Sequence, residues 1–184
     1  GNYKSVFFTD KQKNLSSRKK VLILTATNYE TKIIHAEAKK IGLTSSQQMI
    51  NGQVVYNMGT LGGVDVSHMQ PGTMGMLEPG STPLILMSVF RDVSPDYIIS
   101  TGIAFGRKAK GHQLGDVLVS RQLANYESRK EINGDIYFRG DKVTSPMLSK
   151  VNAGVHTWTG PKIQQGLVLS GNVLVNSKAF LEHL

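Results

Sequence analysis

Val21-Leu22-Ile23-Leu24 is an unbroken apolar run, and a short run without polar alternation predicts a strand covered on both faces. Thr25 to Asn28 interrupts it. From Tyr29 to Ile41 the apolar residues Ile33, Ile34, Ala36, Ala38 and Ile41 recur among Glu and Lys at roughly helical spacing, with Thr27 or Asn28 placed to cap the helix and Gly42 to end it. Buried strand, polar turn and helix is the layout that opens an α/β domain. Gln53 to Tyr56 and Val64 to His68 then read as two strands joined near Gly59 to Gly63. A loop poor in side-chain bulk follows at Gln70 to Gly75, and Leu84 to Phe90 reads as a helix with Pro83 in its first turn. Asp96 to Gly102, Gly115 to Ser120 and Val168 to Val175 each pair a turn with an apolar strand. Parallel-type strands that exit through small residues predict an open sheet with its ligand cleft along the strand carboxyl ends. No repeat at a fixed period and no low-complexity block is present.

Composition narrows this picture in only a few places. With 184 residues, 40% hydrophobic and 18% charged, the chain can bury one sizeable core. The formal charge of +8 raises the question of an anionic partner. Lys4, Lys11, Lys13, Arg18, Lys19 and Lys20 all precede the first apolar run, however. We therefore expect a basic arm or linker over 1–20 and one domain over 21–184, and the net charge does not define a binding face. Arg107, Lys108 and Lys110 form a second basic cluster without interleaved aromatic residues, which fits a solvated loop better than a nucleic-acid platform. The chain has no cysteine, which excludes disulfides, thiolate zinc sites and a cysteine nucleophile. His35, His68, His112, His156 and His183 show no metal-ligand spacing, so neither a metal nor an organic cofactor is expected. No apolar run approaches the roughly 20 residues of a membrane span, and no apolar signal region follows the basic N-terminus. The expected location is the cytoplasm, away from membranes.

Glu30 is the first candidate for chemistry, because a carboxylate just after a buried strand, at the mouth of the sheet, can take a proton from water. The competing explanation is structural: a Glu in a first helical turn is favoured by the partial positive charge of the helix N-terminus. Glu37 fits a surface position paired with a neighbouring Lys. Gly102 to Gly106 resembles a phosphate-cradling loop only loosely, since no Lys-Ser/Thr follows and the G-x-G-x-x-G spacing is not met.

Three segments in order, Thr101-Gly102-Ile103-Ala104-Phe105-Gly106, Leu114-Gly115-Asp116-Val117-Leu118-Val119-Ser120 and Gly166-Leu167-Val168-Leu169-Ser170-Gly171-Asn172, resemble the nucleoside phosphorylase and nucleosidase superfamily. In that family a strand leaves through a T-G-x-A-G-G turn, a loop leads into G-D-x-V-V-S, and a later strand ends as G-x-x-x-S-G-[DN]. The likeness runs from about Val21 to Leu184 and is nearest to methylthioadenosine/S-adenosylhomocysteine nucleosidases and to phosphorylases of purines or uridine. It implies a three-layer α/β/α fold with a central mixed, twisted sheet, a small-molecule nucleoside as partner, and a homo-oligomer, with a dimer by analogy. The reaction it implies is cleavage of an N-glycosidic bond through an oxocarbenium ion, which requires a placed nucleophile, a stabilised sugar cation and a protonated leaving base.

The same resemblance distinguishes water from phosphate as nucleophile. Phosphorylases of this type carry arginines in the first strand-to-helix turn and just ahead of the T-G-x-A-G-G-like turn, because an anionic nucleophile needs fixed guanidinium donors. Here Thr25 to Glu30 has no arginine and Ser100 stands in the second place. Glu30 matches the nucleosidase glutamate that deprotonates the attacking water, so hydrolysis is implied. Phosphorolysis with phosphate held by Arg91 or Arg107, or a non-catalytic nucleoside-binding module, are the alternatives. By the same correspondence Ile103, Ala104 and Phe105 line the base pocket, although Ile103 and Phe105 equally suit core filling. Leu174, Val175 and Asn176 occupy the stretch where nucleosidases stack a ring on the purine, and no ring stands there. The family's Met-Glu motif for the ribose hydroxyls and its later general-acid aspartate lie outside these 184 residues, so the family domain is expected to be incomplete at the C-terminal side.

Overall fold

The computed structural model describes residues 18–72, 82–133 and 135–171, in two compact units, Gly1–Gly102 and Ile103–Leu184.

The first unit is built on a five-stranded mixed sheet in the order β2-β3-β4-β1-β5. Its strands are β1 (Lys20–Leu24), β2 (Ser46–Ile50), β3 (Gln53–Leu61), β4 (Val64–Met69) and β5 (Tyr97–Ser100). The expected buried strand is interior: β1 pairs in parallel with both β4 and β5. Successive side chains of a strand point to opposite faces, and helices cover both faces here. Leu22, Leu24, Val55 and Met69 pack with Ile85, Val89 and Val93 of helix α2 (Thr82–Val93). On the other face Met58 and Val66 pack with Ala38 of helix α1 (Asn28–Lys40), joined by Ile23, Ile34, Leu43 and Tyr56. Helix, sheet and helix therefore form three layers, as the resemblance implied.

Several boundaries differ from the sequence reading. Gly59 does not open the turn before β4; β3 continues through it, at φ +90, as an irregularity between Asn57 and Gly59 that bends the strand. The turn itself is Gly62-Gly63, both at positive φ. A hairpin precedes β3: Asn51 and Gly52, at φ 49 and 77, turn β2 back onto β3. Asn51 Nδ2 then bonds the Ser88 carbonyl and Asp92, holding the hairpin against α2. The chain is already tied down ahead of Val21, because Asp65 N donates to the Lys19 carbonyl, Asp96 N to the Lys20 carbonyl, and Lys19 pairs with Asp96 at 2.6 Å.

The second unit holds β6 (Val117–Asn125), the hairpin β7 (Arg129–Ile132) and β8 (Asp135–Phe138), β9 (Val143–Thr144), helix α3 (Leu148–Val155) and β10 (Ile163–Ser170). A three-stranded sheet runs β10-β6-β9, with β6 and β10 parallel and α3 in the connection between β9 and β10. The strand expected from Val168 starts earlier, at Ile163, and ends at Ser170. Among the described residues no helix is long and apolar enough to cross a membrane.

Leu22 has no solvent exposure and stands at the centre of the α2-side core. Leu22→Ala should therefore cost about 2–5 kcal/mol in urea unfolding, whereas Met49→Ala, on the exposed β2, should change stability by less than about 0.5 kcal/mol.

Candidate active site

The turn between β1 and α1 carries Glu30. Thr27 is extended and caps α1, its hydroxyl accepting from Glu30 N at 3.2 Å. Glu30 closes a capping box by reaching back, with Oε2 accepting from Ala26 N and Thr27 N, each at 2.9 Å. The carboxylate thus has the structural task that its position in a first turn suggests. Its other oxygen faces the neighbouring strand exit. A Cβ added to Gly102 would lie 2.8 Å from Glu30 Oε1, so a larger residue there requires the carboxylate to move. Thr101 N bonds the Leu24 carbonyl at 2.9 Å, which joins the ends of β5 and β1 beneath this pair. The first unit therefore sets a carboxylate, anchored through Oε2, at the carboxyl ends of two adjacent parallel strands, where ligands bind in open α/β sheets.

Arg91 lies in the last turn of α2, close before Asp96, whose carboxylate accepts from Lys20 N at the start of β1. Five strand residues of β1, about 16 Å at 3.3 Å each, separate that edge of the sheet from the Glu30 turn. Arg91 is at the wrong edge to hold an anion beside Glu30.

The remaining motif residues lie in the second unit. Ile103 and Phe105 are 79% and 86% exposed, and Ala104 is exposed, so core filling is not the role of the two larger residues. Gly106 is required by His112, whose Cβ would stand 2.8 Å from an added Cβ and whose Nδ1 accepts from Arg107 N at 2.9 Å. Asp116 of the Gly-Asp motif closes its loop: Oδ2 accepts from Gln113 N at 3.0 Å and from Gln164 Nε2 on β10 at 3.2 Å. Those donors, the Gln113 amide first, hold its carboxyl below the usual range. Any stabilisation it adds is present above the ordinary carboxylate pKa and fades as pH falls through the lowered one. Gly171, at the exit of β10, packs against the ring of buried Tyr126. Leu174, Val175 and Asn176 lie outside the described residues.

A family model described as the phosphorylase superfamily matches residues 20–181. The chain belongs to this superfamily. Solved structures agree at the level of fold. A futalosine hydrolase mutant of Helicobacter pylori strain 26695 is similar with TM-score 0.67 and 20% identity, over 89% of this chain and 72% of that one. The 5'-methylthioadenosine/S-adenosylhomocysteine nucleosidase of Helicobacter pylori, solved with butyl-thio-DADMe-Immucillin-A, gives 0.65 and 19%, over 90% and 69%. The Arabidopsis thaliana 5'-methylthioadenosine nucleosidase in apo form gives 0.56 and 24%, over 88% and 66%.

This superfamily member also carries a polar cluster beneath the turn that sequence reasoning missed. His35 and His68, 33 residues apart, meet in the layer between α1 and the sheet, with His35 Nε2 3.1 Å from His68 Nδ1. Tyr56 packs against both rings, edge-on to His35 and stacked on His68. His68 Nε2 lies 3.0 Å from Thr25 Oγ1, which in turn is 2.8 Å from Thr31 Oγ1. Strand alternation was the available signal, since His68 falls on the same face as buried Val66. Among the described residues no three His, Asp or Glu stand close enough to hold a metal ion.

His68 is fully buried, and burial, with a smaller contribution from His35, lowers its pKa from 6.5 to about 4. Burial lowers His35 as well. The folded chain therefore takes up its proton at lower pH than the unfolded chain does. Stability from this group is complete above pH 6.5 and is lost as pH falls from 6.5 towards 4. Urea unfolding at pH 7.5 and pH 4.5 should show a loss on the order of 2–3 kcal/mol attributable to His68, read as the difference between wild type and His68→Gln.

Proposed function

We propose that the chain hydrolyses the N-glycosidic bond of a purine nucleoside of the methylthioadenosine or S-adenosylhomocysteine type, with Glu30 as the base that orients and deprotonates the attacking water. The observation that carries the reading is the Glu30 carboxylate itself, anchored by Oε2 on Ala26 N and Thr27 N and turned by Oε1 towards the Gly102 exit. A fixed carboxylate oxygen at the strand carboxyl ends takes a proton from water as the water oxygen bonds to the anomeric carbon. The glycosidic electron pair leaves with the base, which takes up a proton. Two backbone donors on one oxygen set the geometry in advance, so no reorganisation is needed when the sugar becomes cationic.

The superfamily match and the nucleosidase names of the solved neighbours support a nucleoside substrate. Water is favoured over phosphate because the turn from Thr25 to Glu30 has no arginine, Ser100 ends β5, and Arg91 sits at the opposite edge of the sheet.

Glu30→Gln separates chemistry from structure, since glutamine also serves in a capping box but is no base. Adenine release from methylthioadenosine, followed by chromatography, should fall about 10²–10⁴-fold in a variant whose thermal unfolding is nearly unchanged. Release by the wild type should be independent of phosphate. A fully active Glu30→Gln, or release that requires phosphate and yields a sugar 1-phosphate, would overturn the reading.

A further inference from the structure

The cluster beneath the turn has a single proton order. A carbonyl oxygen only accepts, so Thr31 Oγ1 donates to Gln70 Oε1 across 2.9 Å. The one hydroxyl proton of Thr31 is then committed, and Thr31 accepts from Thr25 Oγ1. Thr25 is committed in turn, so His68 Nε2 is the donor to it. A neutral imidazole carries one N–H. His68 Nδ1 therefore accepts from His35 Nε2, and His35 Nδ1 accepts from Ser45 Oγ at 3.2 Å. The order starts at a surface depression of about 330 Å³ lined by His35, Lys39, Thr44 and Ser45 among others. It ends at Gln70, just past β4, on the edge of the sheet that carries Glu30.

We propose that His68, Thr25 and Thr31 are positioning residues for Glu30, a role that rests on the hydrolytic reading: the ordered chain from Ser45 to Gln70 fixes the turn between β1 and α1 and thereby the carboxylate it carries. Thr25 is the first residue after β1 and Thr31 directly follows Glu30, so their hydroxyl pair spans the whole turn. The capping box closes the same turn through Thr27 and Glu30. Ala38 and Ile34 hold α1 further along its length, and the hydroxyl pair holds its start. With it, the helix start is tied to Thr25 directly, to β4 through His68, and to Gln70. The order requires His68 to be neutral, because a proton on its Nδ1 would face the N–H of His35. The titratable groups around His68 are His35 on α1 and Tyr56 on β3, and Lys39 lines the depression where His35 ends. The neighbouring β1 contributes Ile23 in register and Thr25.

Two measurements test this on the full chain. Long-range ¹H–¹⁵N NMR of histidine-labelled protein should show His68 with a proton on Nε2 and a bare Nδ1, unchanged between pH 7.5 and pH 5.5. An Nδ1–H tautomer, or titration of His68 near its ordinary pKa, would overturn the proton order whatever the protein catalyses. Thr31→Val, which keeps shape and removes the hydroxyl, should lower kcat roughly 10- to 100-fold, as small misplacements do, with KM nearly unchanged, and Thr31→Ser should recover most of the loss. A folded Thr31→Val with wild-type kcat, beside an inactive Glu30→Gln, would remove the positioning role alone. A fully active Glu30→Gln would instead remove the base, and with it the catalytic meaning of the network, while leaving the tautomer result standing.

Discussion

Two backbone N–H groups on one carboxylate oxygen set the rest of this site. Ala26 and Thr27 are the residues whose amides would otherwise be left without partners where strand gives way to helix, and Glu30 Oε2 satisfies both. A charged acceptor makes such bonds stronger than neutral ones, and the helix N-terminus adds a favourable field. The cost of holding a carboxylate in one rotamer is thereby met by groups that needed a partner anyway. The second oxygen is held in place as a consequence, at the edge of the sheet where β1 and β5 end together.

The same turn is supported from below by a different kind of chemistry. On the face of β1 and β4 towards α2, Leu22, Leu24 and Met69 pack into the core, with Lys20, Asp65 and Ser67 at the far end of the same face. The α1 face is apolar only as far as Val66 and Ile23; beyond them His68 and Thr25 take over. Burying an imidazole is tolerable because each nitrogen of His68 has a partner. An apolar residue at 68 would take a partner from Thr25 Oγ1 and from His35 Nε2, so the polar choice is best understood through what it holds, namely Thr25 and, through it, Thr31. Gly102 completes the arrangement from β5, since any side chain would push into Glu30 Oε1.

What could be read in advance follows from how local each feature is. The strand β1 was legible because Val21 to Leu24 has no polar interruption, and the cap was legible as Thr27 or Asn28, of which the structure selects Thr27. The helix α1 was legible from its periodicity but its face was not, since Ile33 and Ile41 are exposed and Ala38 is the residue it buries. β2 was hidden because Ser46, Gln47 and Gln48 are polar and exposed, although Asn51-Gly52 marks its turn. The start of β10 was hidden for a similar reason: Gln164 and Gln165 carry no apolar signal, yet β6 fixes their register and Gln164 bonds Asp116. The Asp116 role illustrates a further limit, since the motif does not reveal that this aspartate ties its loop to Gln164 of β10. The meeting of His35 and His68 depends on how a helix lies over a sheet, and no spacing along the chain encodes that.

The most direct test of the account is a crystal structure with a purine-like nucleoside whose base is joined to the sugar by a carbon–carbon bond and therefore cannot be cleaved. The account predicts a water held by Glu30 Oε1 and facing the anomeric carbon, with Oε2 still on Ala26 N and Thr27 N. A sugar bound away from the Gly102 exit, or a Glu30 carboxylate turned from it, would contradict the account.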